Sequence, residues 1–519
     1  MKSNLQSFSA IAFTVLSLSI AFDIGVSSKG YSQTPPTAPT TGTPPEDLPV
    51  QPVDGTAPAA DGVTISDIQV RFFNRRGQPT AGRTQPYIIT REFDLRPGDV
   101  YSQAAAQKGI ERLINLESIN RANVTLEPTS VPNQQVMVVN VIEKSPIGFT
   151  FDTTASPPSA LQGPFQPRPV EAGPDIDSGF SVGGTAVLRD IGGLDQTLAA
   201  RLTVGEQVLN GEISFTNPWI GGDPNRTGYA VNIFNQRAVQ GVFTGGDRHV
   251  DLPNGENPWV HRLGGGVEVF RPITDDLTVA LGASYQRVSI RDDYFTSRVR
   301  RVDELGNEFT FSRTGQDDLL TVNLAARLDQ RNRVDDITYY GFIARAGIDQ
   351  AIPIGDSQIN FTRLSASYTQ FIPLNLFGFA RGPRTLILSA QGGHMFGDVP
   401  PYEAFDLTSS SVRGFGGDGI GTGKSFIELA AEYRYPIARF SVFRQPIDLR
   451  GSLFVDYASD LGTGDEVLGR PSVVRDKPGD SIGFGFGVLA ETPIGLTRLE
   501  IGFDDNGGSN VSFSVGDRF

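Results

Sequence analysis

The chain has 519 residues with 59 glycines, 35 prolines, 34 phenylalanines and no cysteine, a composition that suits many turns and aromatic-rich strands better than an α/β enzyme. The missing cysteine removes disulfides, thiolate nucleophiles and sulfur-ligated metals, and a formal net charge of −14 gives a nucleic-acid partner no global electrostatic support. A mean hydropathy of −0.17 does not exclude a membrane barrel, whose wall is apolar on alternate residues only.

The N-terminus, MKSNLQSFSAIAFTVLSLSIAF, sets Lys2 before an apolar run of roughly fifteen residues, right for a secretory h-region and short for a bilayer span. Residues 1–33 are expected to be a signal peptide. Residues 34–62 are Pro/Thr/Ala-rich, which predicts an extended, solvated linker acting as a spacer or as a tether to the cell wall.

Residues 63–145 predict a small α+β module. Ile68, Val70 and Phe72 alternate in a first strand, and the chain turns at Pro97 and Gly98. Ser102 is placed to cap a helix whose Ala106, Gly109, Ile110 and Leu113 form one narrow face. Two strands follow, ANVTLEP and QVMVVNVIEKS.

From 146 to 519 strand candidates recur without an amphipathic helix, sixteen in all, from IGFTFDTTA (147–155) to NVSFSVGDRF (510–519). Leu320, Val322, Leu324, Ala326 and Leu328 share one face of their strand, and Thr321, Asn323, Arg327 and Asp329 share the other. An even number of strands with one polar face predicts a mainly β fold: a 16-stranded antiparallel transmembrane β-barrel with a wet lumen, preceded by the α+β module.

A Gly-rich stretch, SSSVRGFGGDGIGTGKS (409–425), ends almost like a phosphate-binding loop. The pattern fails because its first glycine is Asp418, and the following SFIELAAEYRYPI has the period of a strand, expected to end at Pro436. His249, His261 and His394 fall in or beside predicted loops without ligand spacing, and Asp317/Asp318 and Asp504/Asp505 read as loop charges. Nothing here points to an enzyme, a cofactor or a metal.

Val412, Arg413, Gly414 and Phe415 (VRGF) lie in a long loop at about 394–424. They resemble the motif of the BamA family of outer-membrane assembly barrels, the bacterial surface antigen family that includes two-partner secretion transporters and chloroplast Toc channels. The resemblance implies that this loop folds into the lumen as a lid and that Arg413 pairs with an acid of an F-x-D pattern on the wall, here Phe454 and Asp456. TNPWI (216–220), the terminal Phe519 as an assembly signal, and module 63–145 as one POTRA-like domain are similar to further family features. A single such domain and a long Pro-rich connection at 153–178 depart from the pattern of the general assembly barrels, and short forms of this kind look similar to cyanobacterial and plastid relatives.

What the resemblance implies is an outer-membrane protein with its POTRA-like domain in the periplasm. It would insert or translocate β-rich polypeptides, its partners being outer-membrane lipids and unfolded barrel or secreted clients. The first and last strands would form a weak seam. A passive diffusion channel and a membrane-to-wall tether stand as the alternatives.

Overall fold

The computed structural model describes residues 57–59, 62–152, 181–221, 223, 225–293, 295–334, 337–417, 419–442, 445–492, 495–515 and 518, all within one compact unit, Pro52–Phe519. The expected signal peptide, nearly all of the linker, the 153–178 connection and Phe519 lie outside these residues.

The first layer comprises β1 (Thr64–Phe73), β2 (Pro79–Thr80), α1 (Pro86–Thr90), α2 (Gln103–Ile114), β3 (Ile119–Pro128) and β4 (Gln134–Glu143). Its sheet runs β2-β1-β4-β3, with β1 and β4 parallel. The Ser102 side chain accepts the Ala105 N–H to cap α2, and Ala106, Gly109, Ile110 and Leu113 are the buried face. Gly109 is required there, since a Cβ would stand 2.2 Å from the Phe93 ring. The short α1 was not expected; Pro86 opens it and Ile88 and Ile89 anchor it in the core.

The second layer is the barrel. Its strands are β5 (Ile147–Asp152), β6 (Ser181–Ile191), β7 (Gln196–Gly205), β8 (Val208–Asn217), β9 (Gly228–Val239), β10 (Trp259–Pro272) and β11 (Leu277–Arg291). Then come β12 (Val299–Arg300), β13 (Gln316–Asp329), β14 (Asn332–Val334), β15 (Ile337–Ile352), β16 (Phe361–Pro373) and β17 (Thr385–Gly397). A hairpin of β18 (Phe405–Leu407) and β19 (Gly421–Gly423) precedes β20 (Ser425–Val442), β21 (Gln445–Ser459), β22 (Asp480–Thr492), β23 (Gly495–Asp504) and β24 (Ser509–Val515). Leaving out the short β12, β14, β18 and β19, sixteen antiparallel strands form the wall, and β24 closes on β5.

Side-chain period two decides which face meets what. Leu281, Leu324, Ile348 and Leu364 are cross-strand neighbours, and all four are exposed on the outer wall. One residue along, Gly282, Asn323, Asp349 and Arg363 form the neighbouring inward row. An apolar band outside and a polar lumen follow directly.

The end of the barrel reached from β4 is here the near end. The opposite, far mouth is covered by a hydrophobic dome built from five connections, of which 353–360 supplies Ile359. Val242, Phe243 and Leu252 come from 240–258, Phe309 from 292–315, and Val467 from 460–479. The 398–424 loop adds Val399, Tyr402, Phe405, Leu407, Val412, Phe415 and Ile420.

Several expectations need correcting. β20 does not end at Pro436 but runs to Val442 with a register shift between Pro436 and Ala438. β17 pairs with β20 only as far as Thr385–Arg434, so Pro436 lies beyond its neighbour and its missing N–H costs no ladder bond. His261, His394 and Asp317/Asp318 lie inside β10, β17 and β13. At its far end β10 is buried on both faces over Trp259–Arg262, so alternation no longer marks it, whereas β13 still alternates and β17 ends with Phe396 exposed. β17 also reaches Gly397, so the long loop begins at 398.

Candidate functional site

The loop 398–424 is shaped from its base upward. Leu407 and Gly421 pair in the β18–β19 hairpin, and the Ile420 N–H donates to the Leu407 carbonyl at 2.7 Å. Within it, Val412 and Phe415 donate backbone bonds to the carbonyls of Thr408 and Val412, coiling VRGF into a tight turn. Gly414 has φ +103°, a conformation that L side chains rarely adopt. Gly416 and Gly417 have no positive φ, so of the three glycines around this turn only Gly414 is conformationally required. Val412 and Phe415 are buried in the dome.

The structure brings Arg413 and Asp456 together. Arg413 Nε donates to Asp456 Oδ2 at 2.7 Å and Nη2 to Oδ1 at 2.8 Å, a two-pronged fork, and the Arg413 backbone N–H adds a third bond at 3.1 Å. The guanidinium carbon lies 3.8 Å from the centre of the Phe454 ring, so both residues of the F-x-D pattern face the lumen and both touch Arg413.

Two acids that sequence reasoning missed complete this knot. Arg413 Nη1 donates to Glu432 on β20 and to Glu500 Oε1 on β23, the latter at 2.9 Å. Arg434 Nε pairs with Glu432 Oε1 at 2.6 Å, Arg498 Nη2 with Glu500 Oε1 at 2.8 Å, and Arg518 Nη1 with Asp456 Oδ2 at 3.5 Å. Glu432 and Asp456 are fully buried, and the ion pairs with these arginines offset the desolvation that burial costs. The only signal for Glu432 and Glu500 was their inward parity.

A second clamp of opposite polarity holds the base of the same loop. Glu403, on the loop, receives Arg262 Nη1 from β10 at 2.5 Å and Gln286 Nε2 from β11 at 3.1 Å on Oε1. Arg363 Nη1 from β16 donates to Oε2 at 3.2 Å while its Nε and Nη2 hold Asp349. Tyr402 beside it donates its hydroxyl to Asp317. Two further contacts fix the loop: Gly416 N–H to Asp504 Oδ2 at 3.0 Å, and buried Lys477 Nζ to Thr422 Oγ1 at 3.2 Å and Asp406 Oδ1 at 3.5 Å. The acids expected to be loop charges, Asp317 and Asp504, are therefore loop anchors.

At the near end the POTRA-like domain docks on three barrel turns. The end of β6 and the turn after it receive Thr84 Oγ1 on Asp190 Oδ2 at 3.0 Å, Gln85 N–H on the Gly193 carbonyl at 2.9 Å and Ser118 N–H on Asp195 Oδ1 at 2.8 Å. In TNPWI, the Trp219 ring is met by the guanidinium of Arg91 of the domain at 4.2 Å and by that of Arg226 at 5.3 Å. Asp275, after β10, pairs with Lys108 at 2.5 Å and Arg112 at 3.0 Å.

Among the described residues no three His, Cys, Asp or Glu are grouped to hold a metal. Lys424, the near-match to a phosphate-loop lysine, pairs with Glu466 at 2.5 Å, and Ser425 opens a strand rather than a helix.

The Omp85 superfamily domain matches residues 190–519. Outer envelope protein 80, chloroplastic, of Oryza sativa subsp. japonica is 29% identical over 465 residues, covering 88% of this chain and 63% of that protein. Protein TOC75, chloroplastic, of Pisum sativum is 25% identical over 479 residues, covering 88% of this chain and 56% of that protein. The chain thus spans less than two thirds of the length of these relatives. BamA from Haemophilus ducreyi lacking POTRA domains 1–3 superposes with a TM-score of 0.55 at 14% identity, over 87% of this chain and 84% of that one, a likeness of fold.

Proposed function

Because this chain belongs to the Omp85 superfamily, we propose that it inserts or translocates β-rich polypeptides at an outer membrane, with its POTRA-like domain on the periplasmic side. The observation that carries the reading is the locked far mouth. A loop folded into the lumen, clamped by Arg413 on one part of the wall and by Glu403 on another, beneath a hydrophobic dome, suits controlled handling of a client better than steady diffusion.

In this reading the client enters at the near end. The POTRA-like sheet terminates in β3, whose outer side has no neighbouring strand among the described residues, so an extended client segment can add to it through backbone hydrogen bonds. Three residues then separate β4 from β5, the first wall strand. The wall closes between β24 and β5, and in this reading their junction is the ladder that opens toward an incoming strand. Folding of the client into lipid supplies the free energy, so no nucleotide or metal is required.

The test is assembly of a small barrel client into liposomes containing the purified protein, native or carrying Arg413→Ala or Asp456→Ala. Faster client folding than in empty liposomes, lost in both variants, is expected. No acceleration despite a correctly folded barrel rejects the insertase reading, and a large steady conductance would then mark a diffusion channel.

A further inference from the structure

The near-end turn after β16, LNLFGFARGPR (374–384), does not hang below the barrel. It folds back over the outer wall. Tyr433 on β20 is the cross-strand neighbour of exposed Leu453, so it points outward, yet it is only 6% exposed. The turn covers it: the Leu376 and Phe377 N–H groups both donate to Tyr433 Oη at 3.2 Å, and that hydroxyl donates to the Phe377 carbonyl at 2.8 Å. The Phe377 ring packs 5.1 Å from Tyr433 and 4.7 Å from Tyr435, and the Phe379 N–H bonds to the Pro436 carbonyl at 2.9 Å.

This held turn presents apolar side chains outward. Leu376, Phe377 and Phe379 are 64%, 41% and 76% exposed, and Arg381 beside them is exposed with no ion pair among the described residues. The POTRA-like domain bonds to the turns after β6 and β10, and no hydrogen bond or ion pair links it to 374–384 among the described residues. The patch is continuous with the outward band through Leu388, Leu429 and Leu453. Aromatic rings with a neighbouring guanidinium match the boundary between acyl chains and headgroups.

We propose that 374–384 is a lipid-anchoring foot. It seats Leu376, Phe377 and Phe379 in the acyl–headgroup boundary of the leaflet facing the POTRA-like domain and places Arg381 on an anionic headgroup. It rests on the barrel reading above and adds a defined lipid-binding segment on the side of the wall that the POTRA-like domain leaves free.

The chain has no cysteine, so a single introduced one takes a nitroxide label uniquely. Labels at Phe379→Cys, at Leu453→Cys on the outer wall and at Val131→Cys in an exposed POTRA-like turn are compared in phosphatidylcholine vesicles with and without phosphatidylglycerol. The ratio of oxygen to nickel-complex collisions at 379 should match that at 453 and exceed that at 131 severalfold. Adding Arg381→Glu should lower the 379 ratio only where phosphatidylglycerol is present; no change there overturns the headgroup contact. A 379 ratio like that at 131, with 453 still lipid-like, overturns the foot but not the barrel. Water-like ratios at both overturn both.

Discussion

Gly414 and Gly502 meet backbone to backbone: a Cβ on Gly502 would stand 2.6 Å from Gly414 Cα, and one on Gly414 would stand 2.4 Å from the Phe503 nitrogen. The loop crosses the wall along a track of small residues, since a Cβ on Gly483 would likewise stand 2.5 Å from the Arg413 carbonyl. Gly502→Ala is therefore expected to push VRGF off the wall at a cost of about 1–3 kcal/mol without touching any charged group. Bilayer recordings should show more frequent large openings, while the folded barrel keeps its heat-modifiable migration on gels. A variant as quiet as the native protein would show that the loop position does not depend on this contact.

Arg413→Lys separates charge from geometry. Lysine keeps the positive charge but has no planar fork, so it cannot hold both Asp456 oxygens while reaching Glu432 and Glu500. Arg413→Ala should be worse: breaking a buried pair costs about 3–5 kcal/mol in a dry interior, and less here because Arg434, Arg498 and Arg518 remain. The expected order of open-state occupancy is native, then Lys, then Ala. Lysine behaving like arginine would reduce the knot to simple charge neutralisation.

The Glu403 clamp uses none of the residues of the Arg413 knot. Glu403→Gln weakens the bonds to Arg262 and Arg363 but leaves Arg363 paired with Asp349. It should raise opening modestly on its own. Combined with Arg413→Ala, the two free-energy effects should add to within roughly 0.3–0.5 kcal/mol, as independent sites do. Strong non-additivity in a double-mutant cycle would mean that the loop moves as one rigid body.

The barrel was legible because lipid outside and water inside impose period two, as Leu324 and Asn323 show. The α2 face was legible because Ala106, Gly109, Ile110 and Leu113 repeat at helical spacing and all four are buried. The Arg413–Asp456 contact came only through a family motif, since no local pattern links residues on a loop and a later strand. Glu432, Glu500, Arg262 and Glu403 stayed hidden for the same reason: inward parity marks a polar side chain, but not its partner on another strand. Pro436 misled because a break in one strand's ladder depends on where its neighbour stops, which is a property of the pair.

Docking of the POTRA-like domain should depend on pH through Asp195, in the turn after β6. Burial pushes its carboxyl up to about 6, against the Ser118 hydrogen bonding that favours the charged form, and the charge of Asp190 adds to the rise. Released from the domain, it should return to the ordinary value of about 3.9. The docked state then holds the proton more tightly, so this contribution is fully present below about pH 4 and is lost as pH rises through about 6. The shift is worth on the order of 2–3 kcal/mol. Hydrogen exchange of the Ser118 amide should therefore be slower, after correction for intrinsic rate, at pH 5 than at pH 8. Asp195→Asn should flatten that difference, because its amide oxygen still accepts the Ser118 N–H without a buried charge. Gly193→Ala should speed exchange at both pH values, as its Cβ would stand 2.4 Å from the Arg83 carbonyl. Protection that strengthens with rising pH would refute the assignment to Asp195.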